Sequence, residues 1–195
     1  MQTLLERVRF LMSTVEPDKL GLCGAEVAFV GRSNVGKSTL LNALCNNKTL
    51  AKVSGTPGRT RTINVFLCGH DRWLVDLPGY GYVAGKVAQR EGWGPMIETY
   101  LTSRSTLRAV FVLVDAKVGP TKLDFGMMEW LEEKHLPWRV VATKADQVKP
   151  SRSLVQRREI AGSLGIKPED LAWVSADKKT GIQALRAETE ALLEK

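Results

Sequence analysis

The chain has 195 residues, 44% hydrophobic and 25% charged, a balance that fits one globular domain with a packed core and excludes a disordered polypeptide. Its 17 Gly and 8 Pro are near average usage, which excludes a collagen-like chain, and its longest apolar run, Ala109 to Val114, is far short of the roughly 20 residues of a membrane-spanning helix. The net charge of +7 is unevenly spread: from Val27 to His70 there is no acidic residue, while Arg32, Lys37, Lys48, Lys52, Arg59 and Arg61 are all positive.

In chain order, residues 1 to 25 are set apart as an N-terminal extension to a single domain over residues 26 to 195. Within the extension, Arg7 to Val15 reads equally as an extended edge segment or as a helix. Glu6, Arg7 and Arg9 interrupt its apolar positions and no small-residue cleavage site follows, so a secretory signal is not expected and a cytoplasmic location is. Glu26 to Val30 predicts a strand, and Lys37 to Asn46 a helix with Leu40, Leu41 and Leu44 on one side. Thr62 to Cys68 alternates, turns at Gly69 to Asp71 and returns over Arg72 to Leu77, the pattern of a hairpin. A helix over Gly92 to Ser105, a buried strand over Leu107 to Asp115, a helix over Thr121 to Glu133 and a strand over Trp138 to Thr143 follow. Ser151 opens a helix ending at Leu164 before Gly165, Leu171 to Val174 is a short strand, and Thr180 to Leu193 is a last helix with Ile182, Leu185, Thr189 and Leu192 on one face. Six strands alternating with helices predict an α/β domain with a mixed, mainly parallel sheet covered on both faces. Cys23, Cys45 and Cys68 have neither metal-site spacing nor an even count, so reduced, mostly buried thiols are expected. His70 and His135 are isolated and offer no histidine metal site or catalytic triad.

Gly31-Arg-Ser-Asn-Val-Gly36-Lys37-Ser38 matches G-x-x-x-x-G-K-S/T between a predicted strand and a predicted helix, the context that this phosphate-binding loop requires. Its glycines let backbone N–H groups converge on phosphate oxygens, Lys37 reaches the β- and γ-phosphates, Ser38 offers its hydroxyl to magnesium, and the helix N-terminus adds partial positive charge. Asp76-Leu-Pro-Gly79 ends a strand, so Asp76 can hold magnesium through water while the Gly79 amide faces the γ-phosphate. Thr60, in Thr56-Pro-Gly-Arg-Thr60-Arg61, is a second hydroxyl for magnesium, with Thr62 as the competing candidate. In Thr143-Lys144-Ala145-Asp146 the carboxylate can accept from guanine N1–H and the 2-amino group, whereas adenine offers neither donor there. Lys144 would lay its stem along the base, and Val174-Ser175-Ala176 can direct the Ala176 amide to the guanine O6.

The five segments resemble the nucleotide-binding motifs of the small GTPases. Asp76-Leu-Pro-Gly-Tyr-Gly-Tyr82, with Gly31 to Leu44, Thr56 to Thr60 and Trp93 through Glu98-Thr-Tyr100, resembles the EngB family of bacterial GTP-binding proteins, within the TrmE-Era-EngA-EngB-Septin-like superfamily. The similarity runs from about Ser13 to the C-terminus. It implies a Ras-like P-loop GTPase domain, magnesium-dependent GTP binding and hydrolysis, a part in large ribosomal subunit assembly, and a link to cell division and septation. The nucleotide-contacting set is then Gly31, Arg32, Ser33, Asn34, Val35, Gly36, Lys37, Ser38 and Thr39; Gly58, Arg59, Thr60, Arg61 and Thr62; Asp76, Leu77, Pro78 and Gly79; Thr143, Lys144, Ala145 and Asp146; and Val174, Ser175 and Ala176.

Lys37, Asn34, Thr60 and Gly79 are the candidate catalytic residues. Tyr80 stands where Ras-type enzymes carry a water-positioning glutamine; it offers no paired donor and acceptor and is not readily deprotonated near neutral pH, so slow intrinsic turnover is expected. Asn34 occupies the loop position that helps hold potassium in related potassium-activated GTPases, making potassium a candidate second cation, beside a role in hydrogen bonding its own loop. Arg59 and Arg61 could stabilise charge or meet RNA phosphates, and Lys149, Arg152, Arg157 and Arg158 form a second basic cluster or a solvated surface. A monomeric timer that binds ribosomal RNA in its GTP form is the first functional expectation. A nucleotide-gated module for a division partner is the second, and a small-molecule kinase, lacking an acceptor site and a lid, is the third.

Overall fold

The computed structural model describes residues 3–52, 62–81 and 94–195. Seven strands, β1 (Val8–Thr14), β2 (Ala25–Gly31), β3 (Ile63–Cys68), β4 (Arg72–Asp76), β5 (Leu107–Asp115), β6 (Trp138–Thr143) and β7 (Ala172–Trp173), form one sheet in the order β1-β3-β4-β2-β5-β6-β7. β2 lies parallel to β4 and β5, β5 to β6 and β6 to β7, while β3 runs antiparallel to both of its neighbours. The helices are α1 (Lys37–Leu44), α2 (Pro95–Ser103), α3 (Lys122–Glu133), α4 (Ser153–Ser163) and α5 (Ile182–Glu194).

The sheet has one strand more than the six expected. Val8–Thr14 pairs along β3 with a bulge between Phe10 and Met12, which resolves the ambiguity of that segment in favour of an extended edge. Its alternation is weak because an edge strand with Phe10 half exposed buries little on either face. Phe10 meets the edge of the Phe66 ring at 6.0 Å, which gives β1 an aromatic contact on its partner. The last helix also buries Leu193 rather than Leu192: Leu193 stands one turn beyond Thr189, and Leu192 is only half-buried.

Alternation along the strands divides the core in two. Val27 and Phe29 of β2, with Phe111 and Leu113 of β5, face α1 and α5. Ala28, Val30, Val110 and Val112 face α2, α3 and α4, where Ile97, Met127, Leu131 and Ile160 cover them. Both faces of β2 and β5 are therefore dry, which is why these strands are continuous apolar runs. Phe29 and Phe111 pack edge to face at 5.3 Å. The cysteines are all free thiols, Cys45 and Cys68 buried and Cys23 half-buried, and burial pushes the Cys45 thiol up to about 12. Among the described residues no helix is long and apolar enough to cross a membrane.

At the amino end of β2 the sheet buries a charge that the sequence reading passed over. Glu26 is fully buried and accepts from Arg104 Nε at 2.8 Å, Tyr100 Oη at 2.7 Å and Thr106 Oγ1 at 2.6 Å. Arg104 also lies over the Trp73 ring, 5.2 Å from its centroid. A buried carboxylate is tolerated when its lone pairs are filled in this way, and the result ties α2 to the sheet.

Candidate functional site

The carboxyl ends of β2, β4, β5 and β6 open at one edge of the sheet, where a parallel α/β fold forms its ligand crevice. Gly31 ends β2, and the loop after it enters α1 through Gly36, whose φ of +103° is a left-handed conformation favouring glycine. Lys37, in the first turn of α1, is buried, and its Nζ lies 3.6 Å from Asp76 Oδ1 at the end of β4. Burial raises the Asp76 carboxyl above its ordinary range, with Lys37 opposing the shift. Asp76 Oδ1 is buried without a hydrogen-bond partner among the described residues. Such an oxygen facing a lysine, at the strand end beside the phosphate loop, suits a hydrated divalent cation and its phosphate ligand.

A second set of contacts ties this loop to the end of β6. Thr143 Oγ1 donates to Val35 O at 2.6 Å, and Lys144, in a left-handed conformation with φ +56°, donates from Nζ to Asn34 O at 2.8 Å and to Asp115 Oδ2 at 2.9 Å. Asp115, at the end of β5, also accepts from the Lys117 and Val118 amides. Burial would raise the Asp115 carboxyl, but Lys144 and these amides outweigh it and hold the group below its ordinary value. Asp115 was missed in the sequence, although it closes a buried apolar strand just as Asp76 does.

The segments after β6 and β7 meet through Ala145 N donating to Val174 O at 3.0 Å. Ser175 is buried; its hydroxyl donates to Asp146 Oδ1 and accepts from Lys178 N at 3.0 Å. Asp146 itself is exposed, so one carboxylate oxygen is fixed from behind while the group faces a pocket of about 230 Å³. Gly36, Thr39, Lys144, Asp146 and Ala176 line it, joining the phosphate loop to both later motifs.

Other candidates take places of their own. Leu77 and Pro78 are buried, and Leu77 N donates to Phe29 O at 3.1 Å, which continues the strand direction of β4 toward Gly79. Arg32 directs its guanidinium to Asp124, 3.4 Å from Nε to Oδ2, and Ser33 N donates to Tyr80 O at 3.1 Å. Asn34 is exposed with φ +64°. Thr62 donates from Oγ1 to Asn64 Oδ1 at 3.2 Å and lines a cavity shared with Asp76. Gly58, Arg59, Thr60 and Arg61 lie outside the described residues, as do Tyr82 and Trp93. Tyr80 is 2% exposed and donates from its hydroxyl to Asp124 Oδ1 at 2.8 Å. In the second basic cluster, Arg157 is half-buried and donates to Leu171 O at 2.8 Å, while Lys149, Arg152 and Arg158 are exposed, Arg152 lying 3.5 Å from Glu159.

Residues 26–144 match the family described as 50S ribosome-binding GTPase. The chain is 41% identical to the GTP-binding protein EngB of Desulfosudis oleivorans over 179 residues, 91% of each chain. With EngB of Geobacter sulfurreducens it shares 44% identity over 168 residues, 86% of this chain and 82% of that one. The chain belongs to the EngB family. An EngB crystal structure has the same fold, with a TM-score of 0.64 at 21% identity, covering 87% of this chain and 99% of that one. Era, solved with MgGDPNP and nucleotides 1506–1542 of 16S ribosomal RNA, superposes with a TM-score of 0.64 at 26% identity over 89% of this chain and 58% of Era. Membership makes this a GTP-binding protein of a GTPase family, and the mixed α/β sheet that of a P-loop GTPase.

Proposed function

We propose that this EngB-family chain is a slow GTPase that acts as a timer in assembly of the large ribosomal subunit, and through it supports cell division and septation. The observation that carries the nucleotide part is the convergence of Lys37, Asp76, Lys144 and Asp146 on one crevice edge, joined by Thr143 and Lys144 to the phosphate loop. In this reading amides of the phosphate loop, Ser33 N excepted because it is bonded to Tyr80 O, cradle the phosphates, Lys37 neutralises the β- and γ-phosphoryl oxygens, and Asp146 reads guanine beside Ala176. Ser38 directly, Asp76 through water, and Thr60 when a γ-phosphate is present would hold magnesium, with Thr62 as the alternative hydroxyl. The ion, when bound, offsets charge on the β- and γ-phosphates. Asn34 would hold potassium beside the phosphates.

Slow turnover follows from Tyr80. A buried tyrosine whose hydroxyl is committed to Asp124 orients no water, so the barrier is lowered chiefly by charge and by the Gly79 amide.

The ribosomal part rests on the family description and on charge. Exposed Lys48 and Lys52 belong to the segment without acidic residues, together with Arg59 and Arg61. Era's complex with a segment of 16S ribosomal RNA is a precedent within the same fold. The protein is read as a cytoplasmic monomer. The test is binding to purified large-subunit particles across a salt series with GDP and with a non-hydrolysable GTP analogue. Tighter binding with the analogue is expected, with a slope of log affinity against log salt of roughly 0.7 to 0.9 per neutralised phosphate. Substituting Arg59 and Arg61 by Ala should reduce both. A flat salt dependence, or equal affinity with both nucleotides, would favour a nucleotide-gated division partner instead.

A further inference from the structure

The residue that follows the Asp76-to-Gly79 motif is attached to the phosphate loop by its backbone. Tyr80 N donates to Gly31 O at 3.2 Å, and Ser33 N donates to Tyr80 O at 3.1 Å, an isolated parallel bridge beyond the end of β4. Gly79 rides on Ser33 so closely that a Cβ there would stand 3.0 Å from Ser33 N and 3.1 Å from its Cα. A side chain there would press on the phosphate-loop backbone, which would have to give by a few tenths of an ångström.

Two backbone bonds at the end of a sheet are a weak fastening, so what holds Tyr80 from the other side matters. Its ring is buried and its hydroxyl donates to Asp124 Oδ1 at 2.8 Å. Burial, reinforced by the Asp124 carboxylate, pushes the Tyr80 phenol well above its ordinary value, so it remains a donor at any physiological pH. Asp124 is fully buried in the first turn of α3. Its Oδ2 accepts from Thr121 N and from Thr121 Oγ1, both at 2.8 Å, the capping box that begins α3. The same Oδ2 lies 3.4 Å from Arg32 Nε in the phosphate loop.

We propose that Asp124 is a positioning residue for GTP hydrolysis: one carboxylate fixes Tyr80 and Arg32 to the start of α3 and so holds the Gly79 amide against the phosphate loop, where the γ-phosphate is read. The inference rests on the GTPase reading above. It assigns the tyrosine at the usual glutamine position a mechanical part, with its hydroxyl turned to α3 and its main chain carrying Gly79. Asp124 touches no nucleotide and acts through its neighbours. Small displacements of a preorganised donor weaken transition-state stabilisation far more than ground-state binding.

The test compares Tyr80→Phe, Asp124→Asn and Asp124→Ala with the unaltered chain in steady-state GTP hydrolysis, GDP and GTP-analogue affinity, and thermal melting. Tyr80→Phe keeps the buried ring and removes only the hydroxyl; a kcat loss of about 10-fold, the scale of one buried hydrogen bond, is expected. In Asp124→Asn the amide oxygen takes the Oδ2 position, where Thr121 N, Thr121 Oγ1 and Arg32 face it, and the NH2 donates to the Tyr80 oxygen; the link survives with its direction reversed, so turnover should stay within about 3-fold, whereas Asp124→Ala should lose more than Tyr80→Phe. GDP affinity should stay within about 2-fold in the first two variants, because both keep the buried Tyr80 ring and an oxygen at the Asp124 position beside Arg32, and the Gly79 amide is proposed to meet the γ-phosphate that GDP lacks.

Unchanged kcat in Tyr80→Phe would overturn the inference, as would GDP affinity falling in step with kcat and melting temperature, which marks a purely structural role. Failure of Asp124→Ala to fold leaves the decision with the other two variants. The unaltered chain separates the two claims. If it binds GTP and does not turn it over, the GTPase reading fails and takes this inference with it; if it hydrolyses GTP while the variants match it, only the inference fails.

Discussion

Replacing Asp146 by Asn should convert a guanine site into a xanthine site, and the geometry behind Asp146 says which way the new amide will point. The Ser175 hydroxyl receives the Lys178 amide at 3.0 Å, so its own proton is directed to Asp146 Oδ1. In Asp146→Asn that proton still needs an acceptor. The amide oxygen therefore takes the Oδ1 position and the NH2 faces the base. Guanine presents N1–H and its 2-amino group there, so donors meet donors where a carboxylate would accept two charge-assisted bonds. Each such bond contributes about 1.5 to 3 kcal/mol, and the exposure of Asp146 lets water recover part of it. A net loss of about 2 to 4 kcal/mol corresponds to roughly 30- to 1000-fold weaker GDP binding. Xanthine carries a 2-oxo group that accepts from the same NH2, so XDP should gain where GDP loses. Titration calorimetry of both nucleotides reads the two effects separately. The double substitution Asp146→Asn with Ser175→Ala frees the amide to flip and should return part of the discrimination, by about 5-fold. GDP affinity within about 2-fold of the unaltered chain in Asp146→Asn would refute the guanine assignment.

If Asn34 holds a monovalent cation, GTP hydrolysis should be faster in potassium than in sodium at equal ionic strength, and Asn34→Ala should abolish the difference; equal initial rates in the two salts for the unaltered chain would remove potassium from the mechanism. Glu26→Ala leaves Arg104 buried without its carboxylate and Tyr100 and Thr106 without an acceptor, which should destabilise the fold by about 3 to 5 kcal/mol, whereas Glu26→Gln retains acceptors for the hydroxyls and should cost less. Urea unfolding followed by circular dichroism measures both, and a loss below about 1 kcal/mol in Glu26→Ala would mean that the network contributes little to stability.

What was legible in the sequence was whatever depends on neighbours along the chain. The phosphate loop, the hairpin of β3 and β4, and the helices α3 and α5 are local patterns of spacing, so the strands, helices and motif segments could be placed in order. The strand Val8–Thr14 could not, because an edge with one bulge and half-exposed apolar residues has no clean period of two. The residues that brace the crevice were missed for a related reason. Asp124 is readable as part of the capping box Thr121-Lys-Leu-Asp124, but its bond to Tyr80 joins positions 44 residues apart and has no local signature. Asp115 and Glu26 look like charges interrupting apolar strands until Lys144 and Arg104 are seen against them. A carboxylate inside an otherwise apolar strand is costly without a cation or donors. Each such residue in a sequence therefore predicts a distant partner even before the partner can be named. For Asp115 and Asp124 the partners connect a strand end and the start of α3 to the loops proposed to hold nucleotide, whereas Glu26, at the opposite edge of the sheet, ties α2 to β2.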